Sequence, residues 1–181
     1  MQEDDGSPRF RSGMQPLSKV PLGQIVGLLK NVEEAGGDAD VAEIARASDI
    51  DLNQLPPVVD AAVFLGLAQA GEGDLSITPL GRKVLAAGLR QRKAILRGII
   101  QQLPGFQRVT ERIVAAGRPL SRQEVIDALA AQVGSHEADG FFTALVAWGR
   151  YTELLTYDSR SELLGLRTPA PAAPPKPPMS E

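Results

Sequence analysis

Cysteine is absent from all 181 residues, and histidine occurs once, as His136. The first absence excludes disulfides, iron–sulfur clusters and cysteine-ligated zinc. The second excludes two-histidine metal sites and leaves a Ser/His/Asp triad hard to build. Aromatic residues are only 4% of the chain, so Leu, Ile, Val and Ala must fill most of the interior. No apolar run approaches the roughly 18 residues of a membrane span. The opening MQEDDGSPRFRSG is polar and lacks a signal-peptide core, although Met14 offers an alternative start. The expectation is a soluble, cytoplasmic protein. Nucleotide chemistry lacks its motifs too, with neither a Gly-x-x-x-x-Gly-Lys-Ser/Thr loop nor a Gly-x-Ser-x-Gly elbow. His136 reads as an ordinary exposed histidine, and the adjacent Glu33 and Glu34 as a solvated helix end. No carboxylate set resembles a metal cage. No catalytic residue, metal or cofactor is expected, and the chain is not read as an enzyme.

What is present is a repeated order of elements. Leu22, Ile25, Val26, Leu28 and Leu29 mark a helix over about 20–34, stopped by Gly36-Gly37. Asp40 caps a short helix carrying Val41, Ile44 and Ala45. A third helix covers Leu52 to Leu65, with Pro56-Pro57 tolerated in its first turn. Leu67 to Ala70 and Leu75 to Ile77 flank the turn Gly71-Glu72-Gly73-Asp74 as a hairpin, after which Thr78-Pro79 opens another helix. The second half is a looser copy. An amphipathic basic helix over Leu89–Leu103 ends at Pro104-Gly105 and is followed by one over Phe106–Ala116. Ser121 to Glu124 form a capping box, Ser135 caps a helix ending near Gly149, and Tyr151 to Tyr157 alternate as a strand. The predicted fold is mainly α: tandem winged-helix-like modules with short β-hairpin wings, joined by amphipathic helices. Its divisions are a disordered 1–16, modules over 17–88 and 89–167, and a Pro/Ala-rich disordered tail over 168–181.

Charge is unevenly placed. Residues 1–80 hold 5 basic and 13 acidic side chains, residues 81–122 hold 10 and 1, and residues 123–181 hold 4 and 8. The basic segment includes Arg82, Lys83, Arg90, Arg92, Lys93, Arg97, Arg108 and Arg112. It is either neutralised by the acidic flanks or offered to an acidic protein, an anionic membrane surface or a nucleic-acid backbone. Arg90, Arg92, Lys93 and Arg97 are the candidate partner-binding residues. Base readout is poorly served: the first reading helix carries Asn53, Gln54 and Asp60. The second carries His136, Glu137 and Asp139, with Arg150 only at its end. Both surfaces would meet phosphates unfavourably.

The run from Trp148 to Asp158 contains the only tryptophan and both tyrosines. Trp148, Gly149, Arg150, Tyr151 and Tyr157 read as framework. Tyr151 and Tyr157 would share a strand face, and a turn at Gly149 would let Arg150 reach a carboxylate.

Several blocks together carry a resemblance. They are Lys19-Val20-Pro21-Leu22-Gly23-Gln24, Leu55 to Ala62, Leu65 to Ala68, Gly73 to Gly81, Arg92-Lys93, and Trp148-Gly149-Arg150-Tyr151 through Tyr157-Asp158. Over roughly 17–166 the chain resembles the C-terminal AAA-associated domain family, with Thr152 and Leu155 where Ala and Phe are expected. That domain accompanies the ATP-binding subunit of nitrate/sulfonate/bicarbonate-type ABC importers. The resemblance implies a non-catalytic regulatory or adaptor module whose partner is that subunit or a second copy of the chain, without membrane insertion. No phosphate loop or Leu-Ser-Gly-Gly-Gln is present here, so ATP binding is not expected. A ligand in a cleft between the modules is a further expectation. The alternative is a winged-helix DNA-binding transcriptional regulator.

Overall fold

The computed structural model describes residues 19–48 and 55–167. The segments 1–16 and 168–181, expected to be disordered, lie outside the described residues, as do Asn53 and Gln54. Among the described residues the chain is mainly helical, with eight helices and two small antiparallel sheets of three strands.

The first half runs α1 (Leu22–Glu34), β1 (Asp38–Asp40), α2 (Val41–Ser48), α3 (Leu55–Phe64), β2 (Ala68–Gly71) and β3 (Asp74–Ile77). Two connecting helices follow, α4 (Pro79–Ala86) and α5 (Leu89–Ile100). The second half runs α6 (Pro104–Ala116), β4 (Leu120–Ser121), α7 (Arg122–Val133), α8 (Ser135–Tyr151), β5 (Leu155–Asp158) and β6 (Leu163–Leu166). Each half is thus helix, strand, helix, helix, hairpin. Their sheets share one topology, β1-β3-β2 and β4-β6-β5.

Local chemistry explains the boundaries. Leu22, Ile25, Leu28, Leu29 and Val32 recur at helical spacing and bury one face of α1. Asp40 Oδ1 accepts from the amides of Ala42 (2.7 Å) and Glu43 (3.0 Å), as an N-cap should. Thr78 Oγ1 accepts from Gly81 N at 3.0 Å and donates to the Gly66 carbonyl at 2.7 Å, so one hydroxyl starts α4 and ties it to the preceding corner. The capping box of α7 is complete: Glu124 N donates to Ser121 Oγ, and Ser121 N donates to Glu124 Oε2.

Several expectations need correction. β1 and β4 were not foreseen, because strands of three and two residues carry no readable alternation. Each pairs with the central strand of its sheet, through Asp38↔Ser76 and Leu120↔Leu164 among others. Helix α5 stops at Ile100 rather than Leu103, and Pro104 opens α6 as its first helical residue instead of ending α5. Gly134, not Ser135, occupies the N-cap position of α8.

Helix α8 also passes through Gly149 and ends at Tyr151, so Tyr151 is helical and the strand begins only at Leu155. Gly149 is needed for packing rather than termination: a Cβ there would stand 2.6 Å from Leu155 Cδ1. The helix is closed by Glu153 N donating to Arg150 O (3.1 Å) and Leu154 N to Gly149 O (2.9 Å), with Glu153 left-handed at φ 59°.

The buried side chains of both halves form one apolar cluster, from Val20 and Leu22 to Leu155 and Leu164. Trp148 anchors it across the chain. Its indole is 1% exposed, and Nε1 donates to the Val20 carbonyl at 2.8 Å. The start of the first half is thereby pinned to the last helix of the second.

Candidate interaction surface

Helix α5 connects the halves, and its cations have different fates. Arg92 turns inward, with Nε donating to Val84 O (3.0 Å) and Nη2 to Leu85 O (3.2 Å) and Ala87 O (3.1 Å). These carbonyls lie at the C-terminal end of α4, where no intrahelical donor remains, so Arg92 acts as a cap. The next residue, Lys93, places Nζ 2.9 Å from Glu153 Oε1. Arg97 Nε donates to the Thr152 carbonyl at 2.8 Å, while its Nη2 stands 4.0 Å from Glu153 Oε2. Arg90 is exposed and has no partner among the described residues.

The basic segment is therefore partly matched within the chain. Arg82 pairs with Glu33 (3.6 Å), and Arg118 grips Glu124 through both guanidinium nitrogens. Arg122 pairs with Asp139 and lies over the Phe142 ring at 5.4 Å. Lys83 and Arg112 are exposed to solvent.

Glu153 is the residue on which this surface turns, and no sequence signal points to it, since a left-handed helix terminus ordinarily calls for glycine. The hydrogen bond and charge of Lys93 hold its carboxyl below the usual range, with smaller help from Arg167 and Arg97. Arg97 and Glu153 together divide two open clefts. One, of about 370 Å³, is lined by Leu89, Arg90, Lys93 and Ala94. The other, of about 380 Å³, adds Gln101, Thr110, Leu154, Leu166 and Arg167. Lys93, Arg97 and Arg167 thus act on a single carboxylate, Arg90 lines the same cleft, and the Leu89 side chain, 64% exposed, sits at one edge.

The remaining candidates disperse. Arg150 is exposed and reaches no carboxylate, because α8 continues past Gly149. Tyr151 lies half-buried in that helix, whereas Tyr157 lies on β5 and meets the Phe142 ring edge-on at 5.5 Å. The two tyrosines share no strand face. His136 and Asp60 are exposed. The outward face of the first sheet carries Asp38, Asp40 and Asp74, with Glu72 at the hairpin tip. Among the described residues no group of three His, Asp or Glu side chains is arranged to hold a metal ion, and no helix is long and apolar enough to cross a membrane.

The family model for the C-terminal AAA-associated domain matches residues 42–158. The chain belongs to this family. The matched span of the AAA-associated domain opens in α2 and closes with β5, taking in α5, Glu153 and the whole Trp148–Asp158 block. Helix α1, β6 and Arg167 lie outside it. No curated protein and no solved structure gives a significant match.

Proposed function

We propose that this AAA-associated domain is a non-catalytic accessory module that regulates an ABC-type importer of the nitrate/sulfonate/bicarbonate class. It acts in the cytoplasm by docking on the ATP-binding subunit, with the clefts beside α5 as the place for an effector. Each half is read as a winged-helix module, because helix, strand, helix, helix and hairpin recur in that order around sheets of one topology. Family membership is the observation that carries the reading. The α5 surface supports it, since Arg90 is free and Arg97 retains guanidinium donors beyond its bond to Thr152. Arg90, Lys93 and Arg97 form the contact. Arg92 supports it from below, and reversing its charge would set a carboxylate against three carbonyls.

The wings weigh against DNA as the target. Glu72 and Asp74 occupy the first hairpin tip, where a phosphate backbone would have to pass, while the second tip is mixed, with Arg160 between Asp158 and Glu162. The test is a nuclease-treated pull-down from native cytoplasm at low and moderate salt, read by mass spectrometry. The expected result is an ABC ATP-binding subunit that is retained at low salt, lost progressively as salt rises, and depleted by Arg90→Glu. Recovery of the chain alone, with duplex DNA appearing once nuclease is omitted, would overturn this function in favour of the transcriptional regulator.

A further inference from the structure

Two surfaces of opposite charge remain unmatched in this chain, and they do not meet each other. One is the double cleft around Arg97, where Lys93, Arg97 and Arg167 act on one carboxylate and Arg90 lines the same cleft. The other is the outward face of the first sheet. Asp40 and Asp74 stand directly opposite in register, Asp38 is two residues along, and Glu72 projects from the turn. Among the described residues none of these four acids has a cation partner. The two α2 amides that Asp40 caps offset its charge, which leaves Asp38, Glu72 and Asp74 as the unmatched carboxylates of this face.

We propose that the acidic hairpin of one copy docks in the Arg97 cleft of a second copy. The inference rests on reading α5 as a contact surface and names a second occupant for it, which competes with the ATP-binding subunit for Arg90, Lys93 and Arg97. The cleft is already shaped around a carboxylate. Glu153 occupies its centre and holds Lys93 and Arg97 in place, leaving Arg97 Nη groups, Arg90 and Arg167 as donors for further carboxylates. A protein loop with separated carboxylates fits this arrangement better than a continuous phosphodiester, which would run against Glu153. Leu89 supplies an apolar edge, and the two-residue tip Glu72-Gly73 is narrow enough to enter an open cleft. Because hairpin and cleft are different patches, the contact is head-to-tail, and each copy offers one of each. It is electrostatic and rim-exposed, so its strength depends steeply on salt.

The test is sedimentation velocity on the purified full chain, at about 50 mM and about 500 mM salt (roughly a threefold change in screening length). The weight-average sedimentation coefficient should rise with protein concentration at low salt and revert to the monomer at high salt. Arg90→Glu/Arg167→Glu and Glu72→Lys/Asp74→Lys should each weaken self-association about tenfold or more, on the order of the coupling measured for interfacial charge pairs. All four positions are exposed, so unchanged circular dichroism and melting temperature certify the fold. Mixing the two variants should restore association, because the intact cleft of one accepts the intact hairpin of the other. A native chain that is monomeric at every concentration overturns the proposal, as does association that survives both variants. No ATP-binding subunit is present in this experiment. Its failure therefore leaves the importer reading standing, and failure of the pull-down leaves this result intact.

Discussion

The two halves turn the same corner, from third helix to hairpin, with different residues at the same point. After α3, Gly66 N donates to Val63 O and Leu67 N to Ala62 O, with Gly66 at φ 69°. After α8, Glu153 N donates to Arg150 O and Leu154 N to Gly149 O, with Glu153 at φ 59°. Both are the left-handed closure for which glycine is the strain-free choice. The first half uses glycine and needs only the turn. The second accepts a left-handed glutamate, and the side chain so presented ties α5 to the end of α8. The left-handed glutamate thereby gives the second corner a tie between α5 and α8 that the glycine corner lacks.

The halves differ likewise in what holds their helices. Phe106, Phe141, Phe142, Trp148, Tyr151 and Tyr157 all fall in the second half, leaving Phe10 and Phe64 to the first. The second half adds the bidentate Arg118–Glu124 pair and the Arg122–Asp139 pair, whereas among the described residues the first has only the longer, exposed Lys30–Glu34 and Arg82–Glu33 pairs beside the aliphatic packing around α1 and α3.

The largest expected effect contrasts the glycine that each half uses for close packing. A Cβ at Gly81 would stand 2.1 Å from the Leu67 carbonyl oxygen, a backbone atom that cannot step aside. At Gly149 the obstacles are Leu155 Cδ1, Cγ and Cβ at 2.6, 2.7 and 2.8 Å; rotation of the side chain relieves the outer two and leaves only the longest contact, with Cβ. Gly81→Ala should cost about 3 kcal/mol and Gly149→Ala ~1–2 kcal/mol. Urea denaturation followed by Trp148 fluorescence measures both, and the reverse order would mean that the first corner is the softer one. Because Trp148 lies in the second half, a Gly81→Ala shift in its transition also establishes that the halves unfold together.

Next is Trp148→Phe, which leaves the Val20 carbonyl without its indole donor. The expected loss is ~1–3 kcal/mol by thermal or chemical melting, from the lost indole hydrogen bond and ring area. A loss below about 0.5 kcal/mol, the range of ordinary surface changes, would show that the tie between the halves is dispensable.

The corner itself is tested by a reciprocal pair. Gly66→Ala should destabilise by about 1 kcal/mol, since alanine resists positive φ. Glu153→Gly should leave the melting temperature near that of the parent chain, because relief of left-handed strain offsets the lost ion pairs. A large drop on Glu153→Gly would instead make those ion pairs chiefly structural.

The smallest effect is confined to the second half. Hydrogen bonds from Arg118 and from the Ser121 amide lower the Glu124 pKa from 4.5 to about 2. A depressed carboxylate stabilises the fold fully above its unfolded value, and the contribution fades as pH falls from 4.5 toward 2. Glu124→Gln should flatten that part of the acid-stability profile. An unchanged profile would assign the acid response to other carboxylates.

Much of the architecture was legible because it depends on neighbours in sequence. The periodic Leu22-to-Val32 face, the Asp40 and Thr78 caps, the Ser121 capping box and the first hairpin all act within a few residues. β1 and β4 were not legible, since so short a strand is defined by the partner it pairs with. Gly149 reads as a stop in sequence and is a packing notch in space, which moved Tyr151 from strand to helix and left Arg150 in solvent.

The candidate surface divides along the same line. The sequence by itself determined that α5 is basic, that the flanks are acidic, and that the chain repeats one order of elements, because composition and periodicity are properties of the chain. Only the tertiary structure decided that Arg92 caps α4, that Lys93 and Arg97 close on Glu153 some sixty residues away, and that Arg90 stays free. Charge belongs to a residue, but whether it is neutralised depends on distance, and distance is set when helices from different parts of the chain pack against each other.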